Sequence, residues 1–319
     1  MGRYLVRRLI QGVFIVLIIT IVVFVVSRLS SDPLAAYATN PRITAEDKAR
    51  LRASLGLDQP MYVQYVYWLG NAVQGNFGYS FTTKQKVTDL IADRFPQTMV
   101  LMLSSLFVIV VLSLALGVYS AVRQYSLGDN IITAISFIGY SMPVFFIGLS
   151  LIYIFAVGFK DAGLPYLPTG TDIWDQKSIV EWIRHLILPV ITLAAIQIAG
   201  YTRYLRSSLL EVLHQDYIRT ARAKGLAERM TLLRHALKNA ALPFVTVLGL
   251  DVPFLFGGAL VTETIFSWPG MGRLFWEHAE QGDFPVMMAI LLITSILVVG
   301  GQIVVDIAYT FLDPRIRLT

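Results

Sequence analysis

Six long runs of apolar residues divide this chain, and polar segments of very different length separate them. A helix needs about 20 mostly apolar residues to cross a bilayer. Each run is about that long, so the pattern predicts six transmembrane helices, near residues 9–26, 98–122, 131–159, 186–204, 242–265 and 284–312. Pro143, Pro189 and Pro253 interrupt three of the runs. We expect kinks there, with the freed carbonyls satisfied by neighbouring helices or water.

The composition supports a membrane protein. The 319 residues are 55% hydrophobic and 15% charged, whereas about a quarter of a soluble domain is charged. The absence of cysteine excludes disulfides, iron–sulfur clusters and thiolate zinc sites. The four histidines are scattered over loops, so no metal site or catalytic triad is visible; they are His185, His214, His235 and His278.

The basic residues predict the orientation of the chain. Arg3, Arg7 and Arg8 precede the first run, and the segment between the fourth and fifth runs is strongly basic. Basic loops stay in the cytoplasm, so we place both termini inside, the second of them beside Arg315 and Arg317. The first run is too long for a signal peptide and no small-residue cleavage site follows it, which predicts an uncleaved anchor. We attribute the net charge of +5 to the basic cytoplasmic segments that set the membrane topology, and we expect no nucleic-acid partner.

Residues 31–97 are predicted to form a small extracytoplasmic subdomain between the first two transmembrane helices. The stretch from Thr44 to Asp47 has the pattern of a helix start, and Gly56 that of its end. Pro60 opens an aromatic segment that either anchors at the membrane interface or contacts a soluble partner. Three parts are therefore expected: an N-terminal tip and first helix at 1–30, this subdomain, and a core at 98–319.

A basic cytoplasmic loop at residues 206–240 carries the most specific pattern in the chain. Tyr217, Ala221 and Lys224 are three or four residues apart and share one helical face. Gly225 then permits a sharp turn. The pattern predicts a short helix that leaves the membrane and turns back.

A second helix is expected from about residue 228 to 239, and Pro243 is expected to open the fifth transmembrane helix. The small residues near the turn would allow another protein to approach closely. Two readings of this helical hairpin stay open: it docks a partner protein, or it is a basic loop that lies on anionic lipid.

This loop resembles the EAA loop of ABC-importer permeases, in the form found in the dipeptide/oligopeptide/nickel branch. Arg219 stands where the general consensus has Glu, a departure that is usual in that branch. Further motifs of the branch follow in order, among them Gly56-Leu-Asp58 and Ser141-Met-Pro143, so that the resemblance covers nearly the whole chain. The matching loop positions are Asp216, Tyr217, Ala221, Ala223, Lys224, Gly225, His235, Asn239 and Pro243.

The resemblance implies an all-α integral membrane protein with six transmembrane helices and the type I ABC importer permease fold. The chain would be one permease in an importer with a second permease subunit, two ATP-binding subunits and an extracytoplasmic substrate-binding protein. Peptides are the expected cargo, although relatives also carry nickel complexes, glutathione and some sugars. The residues implied to couple the permease to the ATPase are Tyr217, Thr220, Ala221, Ala223, Lys224, Gly225, Leu226, His235 and Asn239.

The chain contains no Gly-x-x-x-x-Gly-Lys-Ser/Thr phosphate loop. We therefore expect no cofactor in this chain, with ATP and magnesium bound by the partner subunits. Substrate would cross between the fourth and fifth helices of the two permeases.

Few polar groups fall inside the apolar runs. Asp251 is expected either to line the translocation path and meet a cationic group of the cargo, or to pair with a base or a helix end. Gly257 and Gly258 are path candidates that would also permit close helix packing. Arg203 and Arg206 are expected to reach the inner headgroups.

Two other classes of protein stay open. A secondary transporter would need coupling-ion carboxylates and usually an internal repeat, and a membrane-embedded enzyme would need clustered catalytic groups. Dependence of uptake on ATP in the presence of a proton uncoupler would distinguish the importer from the secondary transporter.

Overall fold

The computed structural model describes residues 2–30, 44, 46, 50, 52–53, 56–170 and 178–312. These residues are helical almost throughout, which confirms the all-α fold. The helices are α1 (Gly2–Ser30), α2 (Met61–Val73), α3 (Val87–Val122), α4 (Leu127–Ser141), α5 (Val144–Asp161), α6 (Ile179–Leu213), α7 (Asp216–Ala223), α8 (Glu228–Met230), α9 (Leu237–Leu250), α10 (Val252–Ile265), α11 (Met271–Glu280) and α12 (Phe284–Leu312). Wider π-helical turns occupy Ile152–Gly158 within α5 and Thr231–Ala236 between α8 and α9.

Five of the described helices are long and apolar enough to cross a bilayer: α1, α3, α5, α6 and α12. They confirm five of the six predicted spans, although the span within residues 131–159 is shorter than predicted. The predicted fifth span, residues 242–265, consists instead of α9 and α10, two helices of 14 residues each. A count of six transmembrane helices therefore stays a prediction.

The prolines act differently from one run to the next. Pro189 lies inside α6, as predicted. At Pro143 we expected a kink within one helix, and this was wrong, because Met142 is extended at ψ 134° and a new helix starts after the proline. A residue before proline avoids the helical conformation, and proline itself lacks the N–H that a continuous helix needs. Pro253 lies at the start of α10, where that N–H is dispensable.

The region after α1 is described in part. Gly56 adopts a left-handed φ of +65°, which agrees with its predicted place at a helix end, and the aromatic segment after Pro60 forms α2. Most of residues 31–55 lie outside the described residues, including Asp47 of the predicted helix start. The subdomain bounds of 31–97 and the core bounds of 98–319 stay predictions. The C-terminal Arg315 and Arg317 also lie outside the described residues.

The chain forms two compact units, Met1–Thr98 with Pro269–Gly300 and Met99–Trp268 with Gly301–Thr319. In the first unit, Phe24 of α1 is fully buried and packs edge-on against Phe284 and Tyr65. A second apolar cluster joins the start of α3 to α11 and α12. The hydroxyls of Tyr65 and Thr20 are 2.9 Å apart, which links α2 to α1.

The second unit is organised around α6. Buried residues make up 44% of the apolar stretch of α6, more than in any of the other four candidate spans. α4, α5, α9 and α10 all pack against it. Leu205 and Leu209 near its end are completely buried in the main apolar cluster of this unit. α6 therefore positions the loop that follows it.

A buried carboxylate in the first unit was not anticipated from the sequence. Asp283, between α11 and α12, has no exposed surface. It accepts hydrogen bonds from the Ser80 hydroxyl, from the Phe81 N–H at 3.0 Å and from the N–H and hydroxyl of Thr82 at 3.2 and 2.8 Å. His278 Nδ1 lies 2.9 Å from the same carboxylate. Burial by itself would raise the pKa of Asp283, but the hydrogen bonds from His278, Ser80, Phe81 and Thr82 outweigh it and hold that pKa well below its ordinary value.

Replacing Asp283 by Asn should lower the stability of the folded protein by on the order of 2–3 kcal/mol at pH 7, because a charged acceptor of several buried donors is lost. The folded-state pKa is depressed, so this contribution is fully present above the ordinary Asp pKa of about 4 and is lost as the pH falls toward the folded-state value. Thermal unfolding in detergent should therefore show a gap between wild type and variant that narrows below about pH 4.

The exposed Asp93 on α3 provides the control. Asp93→Asn should change stability by less than about 0.5 kcal/mol at either pH. Equal effects of the two substitutions would contradict a structural role for the Asp283 network.

Candidate functional site

The cytoplasmic loop folds as a helical hairpin at the end of α6. α6 continues to Leu213, beyond the predicted apolar run. α7 then begins at Asp216, and its last helical residue is Ala223. The short helix predicted from the positions of Tyr217, Ala221 and Lys224 is therefore confirmed.

The turn after α7 has the geometry of a Schellman helix end. Gly225 adopts φ +77°, a conformation that disfavours residues with a side chain. Its N–H donates to the Arg222 carbonyl at 2.9 Å, and the Leu226 N–H donates to the Ala221 carbonyl at 3.3 Å. These two bonds satisfy carbonyls that the helix end leaves open, which confirms the predicted break at Gly225.

The returning arm is longer than expected. It runs through α8 and a π-helical segment directly into α9, which ends at Leu250. The second helix predicted for residues 228–239 is present but does not stop there, and Pro243 lies inside α9, not at its beginning. The returning arm of the hairpin and α9 are thus one continuous helical element.

Buried side chains hold the base of the hairpin. Ile218 has no exposed surface and Ala221 is almost completely buried. Ile218 belongs to the apolar cluster that also contains Leu209, Ala236 and Ala240. The Ser208 hydroxyl also donates to the Ala240 carbonyl at 3.1 Å, which ties α6 to the returning arm.

Three of the predicted coupling residues form a polar connection between the two arms. The Asn239 side-chain amide donates to the Tyr217 hydroxyl and to the His235 carbonyl, each at 3.0 Å. Thr220 instead donates to the Asp216 carbonyl one turn earlier, at 2.9 Å. The hydrogen bond between Tyr217 and Asn239 therefore joins the two arms, while the bond to the His235 carbonyl orients the Asn239 side chain within the returning arm.

The tip of the hairpin is open to solvent. Ala223, Lys224 and Gly225 are exposed, and Leu226 is half-buried. A methyl group added at Gly225 would meet no atom within 4 Å. The tip thus offers a small-residue surface beside one lysine, which a partner protein can approach closely.

An ion pair crosses the turn next to this tip. The Arg222 guanidinium contacts both carboxylate oxygens of Glu228, at 2.6 and 3.1 Å. The hydrogen bonds from Arg222 hold the pKa of Glu228 below its ordinary value. Both side chains are largely exposed, so we assign the pair little net stability.

Asp251 lies where α9 ends and α10 begins, on a different element from the hairpin. Its carboxylate accepts a hydrogen bond of 2.8 Å from the hydroxyl of Tyr201 on α6. The Tyr201 ring is buried and packs edge-on against Phe244. Asp251 itself stays partly exposed, so the hydrogen bond leaves part of the carboxylate accessible.

The two candidate glycines of α10 differ. A methyl group at Gly257 would meet nothing within 4 Å, whereas one at Gly258 would lie 2.8 Å from Cδ1 of Leu193 on α6. Gly258 therefore permits close packing of α10 on α6, and Gly257 faces open space.

An ion pair between a buried carboxylate and the partly exposed Arg206 of α6 was missed from the sequence. Arg206 was expected to reach the headgroups, but its Nε and a terminal nitrogen bind the two oxygens of Asp129 at 2.9 and 2.8 Å. The Arg206 guanidinium holds the pKa of Asp129 well below its ordinary value, against the effect of burial and with help from the Ser120 hydroxyl and the Tyr125 N–H. The Ser-x-x-Asp pattern at 126–129 signals the start of α4. It carries no information about an arginine 77 residues away.

Models of two protein families match this chain. Residues 113–318 match the family described as binding-protein-dependent transport system inner membrane component. Residues 1–102 match the N-terminal region of the membrane components of binding-protein-dependent transport systems. The first match contains the hairpin, Asp129, Arg206 and Asp251, and it covers more than half of the chain.

Full-length relatives are similar as well. The oligopeptide transport system permease protein AppB of Bacillus subtilis is 44% identical over 321 residues, which cover 99% of this chain and all of that protein. The glutathione transport system permease protein GsiC of Escherichia coli K12 is 39% identical over 319 residues, with 99% of both chains covered.

Proposed function

This chain belongs to the family of binding-protein-dependent transport components of the inner membrane, and from that premise we propose which cargo it carries, how it is driven and which of its residues take part. It is a multi-pass permease subunit of an ABC importer, and its cargo is peptides. The long apolar helices agree with a location in the membrane.

ATP is hydrolysed by partner subunits that bind the tip of the hairpin between α6 and α9. The observation that carries this proposal is the exposed tip at Ala223, Lys224 and Gly225, set on a base that is buried through Ile218. A tip with a small residue on each side of one lysine fits into a groove of a partner, and a buried base passes the movement of that partner to α6 and α9. This is what a coupling element requires.

The remaining coupling residues keep this element in shape. The Tyr217–Asn239 hydrogen bond sets the separation of the two arms, and the His235 carbonyl orients the Asn239 side chain. Ala221 is buried, and the Thr220 hydroxyl donates to the Asp216 carbonyl within α7. Leu226 supplies the final hydrogen bond of the helix end. Their expected role is therefore to hold the tip in the geometry that the ATPase recognises.

The complete importer contains a second permease, two ATP-binding subunits that hold ATP and magnesium, and an extracytoplasmic substrate-binding protein. Positive charge on the hairpin places it in the cytoplasm, and both termini lie on the same side. Substrate moves by alternating access, in which ATP binding by the partners favours one of two arrangements of the helices.

Glutathione is the second candidate cargo. It is itself a small peptide, and the relative from Escherichia coli that is 39% identical to this chain is named for its transport. Competition between a labelled tripeptide and unlabelled glutathione for uptake would separate the two. Full competition at equal concentration favours glutathione, and its absence favours other peptides.

The mode of energy coupling is tested with the complete importer in sealed vesicles. We expect peptide uptake that requires ATP and continues after a proton uncoupler has collapsed the proton gradient. Uptake that stops with the uncoupler while ATP remains, or uptake by this chain without ATP-binding subunits, would contradict the proposal.

Replacing Gly225 by Trp should reduce ATP-dependent uptake by at least about ten-fold, equivalent to about 1.4 kcal/mol, because a bulky ring at the tip blocks the groove of the ATPase. ATP hydrolysis and uptake should be measured on the same reconstituted complex. Hydrolysis without uptake, or failure of the ATP-binding subunits to assemble, is the expected result.

Gly163 provides a matched control. It also ends a helix, at φ +68°, with N–H bonds from Gly163 to Lys160 and from Leu164 to Phe159, and open space around it. Gly163→Trp therefore carries the same backbone strain on the proposed outer side. Equal losses of uptake in the two variants would assign the effect to folding and contradict the coupling role of Gly225.

Asp251 is proposed to line the translocation path, together with Gly257 and Gly258. Asp251→Asn should lower uptake of a peptide with a free amino terminus by roughly ten-fold, or about 1.4 kcal/mol, while an acetylated peptide is little affected. Tyr201→Phe is the control, since it removes the hydrogen bond to Asp251 but keeps the carboxylate. Equal loss for both peptides and in both variants would show that Asp251 serves the packing of α6 and α9.

A further inference from the structure

The turn between α3 and α4 is fastened to α6 by one buried carboxylate. Asp129 is 1% exposed. Its two carboxylate oxygens accept hydrogen bonds from Nε and a terminal nitrogen of the Arg206 guanidinium. It also accepts a hydrogen bond of 2.7 Å from the Ser120 hydroxyl on α3 and one of 2.9 Å from the Tyr125 N–H in the turn. A single side chain thus joins α3, the turn, α4 and α6.

The backbone of this turn is held in a costly conformation. Tyr125 has φ +62°, and the left-handed region costs a residue with a side chain about 1 kcal/mol. The bond from its N–H to Asp129 holds that conformation, and the Ser126 hydroxyl caps the start of α4 by accepting the Asp129 N–H at 3.2 Å. Strain of this kind persists only where the surroundings determine the backbone strongly.

Close packing accompanies the ion pair. A methyl group at Gly117 of α3 would lie 3.0 Å from Leu205 of α6, and one at Gly128 of α4 would lie 2.8 Å or less from the Tyr119 ring and hydroxyl. Leu205, next to Arg206, is fully buried. α3 and α6 therefore approach closely at Gly117 and Leu205, next to Arg206.

The pair lies at the root of the hairpin. Arg206 precedes by two residues Ser208, whose hydroxyl binds the Ala240 carbonyl of the returning arm. α6 continues without a break from Arg206 to Leu213, immediately before α7. A displacement of the hairpin therefore reaches Arg206 through one rigid helix.

We propose that Asp129 and Arg206 are positioning residues for transport, which carry the movement of the hairpin sideways into the ends of α3 and α4. This role rests on the proposed function of the hairpin. In it, the turn between α3 and α4 moves together with α6 during the ATP cycle, because the hydrogen bonds of Asp129 and Ser126 hold its backbone in one conformation.

Stability alone is a weak reason for such a pair. Replacing both members of a buried ion pair by apolar groups is often neutral or stabilising, whereas removing one member strands a buried charge and costs about 3–5 kcal/mol. The double substitution Asp129→Leu with Arg206→Met therefore separates a role in movement from a role in folding.

The test uses the full importer, reconstituted with its partner subunits, and measures ATP hydrolysed per peptide taken up. Asp129→Asn and Arg206→Met alone should lower thermal stability. The double variant should regain most of that stability and assemble, yet use several-fold more ATP per peptide than wild type. A normal ratio in a stable double variant would overturn the proposal.

Arg206→Lys covers the case in which the double variant does not assemble. Lysine keeps the charge but cannot bind both carboxylate oxygens in a fixed plane. We therefore expect a complex that assembles but hydrolyses more ATP per peptide taken up than wild type. An unchanged ratio would overturn the proposal. As control, Glu181→Gln with Arg184→Met removes an ion pair of 2.6 Å at the opposite end of α6 and should leave the ratio unchanged.

The movement itself is measured with two spin labels, which the absence of cysteine in this chain makes possible when cysteine-free partners are used. Leu127 in the turn and Met230 in the hairpin are exposed attachment points. Their separation should be the same in the nucleotide-free and ATP-trapped complexes, and should differ between these states in the double variant. A separation that changes in wild type would overturn the proposal, while loss of ATP-dependent uptake by wild type would instead refute the proposed function.

Discussion

Burial of Ile218 is the contact on which the geometry of the hairpin depends. α7 has eight residues, and isolated helices shorter than about 12–15 residues are marginal in water. Full burial of an Ile side chain contributes about 1.5–3 kcal/mol, and Ile218 makes this contribution beside Ala236 and Ala240 of the returning arm. The tip is thus a solvent-exposed surface on a buried base, which is the arrangement that the proposed coupling role requires.

Polar contacts give the apolar helices a defined arrangement. Asp129 and Asp283 are buried and hydrogen-bonded to several groups, and Asp251 has the Tyr201 hydroxyl. A buried polar group without a partner costs several kcal/mol, whereas apolar packing alone tolerates small shifts between helices. Such carboxylates therefore specify which residues of neighbouring elements must meet. Asp251 differs from the other two in being partly exposed.

Much of the fold followed from the length and position of the apolar runs, because the bilayer requires long helices whose backbone bonds are internal. Two runs were nevertheless broken. The break at Met142 and Pro143 reflects how a proline restricts the residue before it, and whether it kinks or ends a helix depends on packing. The break at Asp251 lies two residues before Pro253, which is at the start of α10, so the proline marked the place. The apolar pattern alone, equally apolar on both sides, did not show that the helix would end there.

The sequence by itself determined the all-helical membrane fold, the turn at Gly225 and the family, because each depends on local residue types or on motifs in a fixed order. Tertiary structure alone decided that Tyr217 meets Asn239, that Arg206 binds Asp129 and not the headgroups, and that Asp283 is enclosed by residues 80–82. These contacts join positions 22, 77 and about 200 residues apart. Only the packing of the helices brings such positions within hydrogen-bond distance, and hydrophobic periodicity carries no record of which polar groups will then face each other.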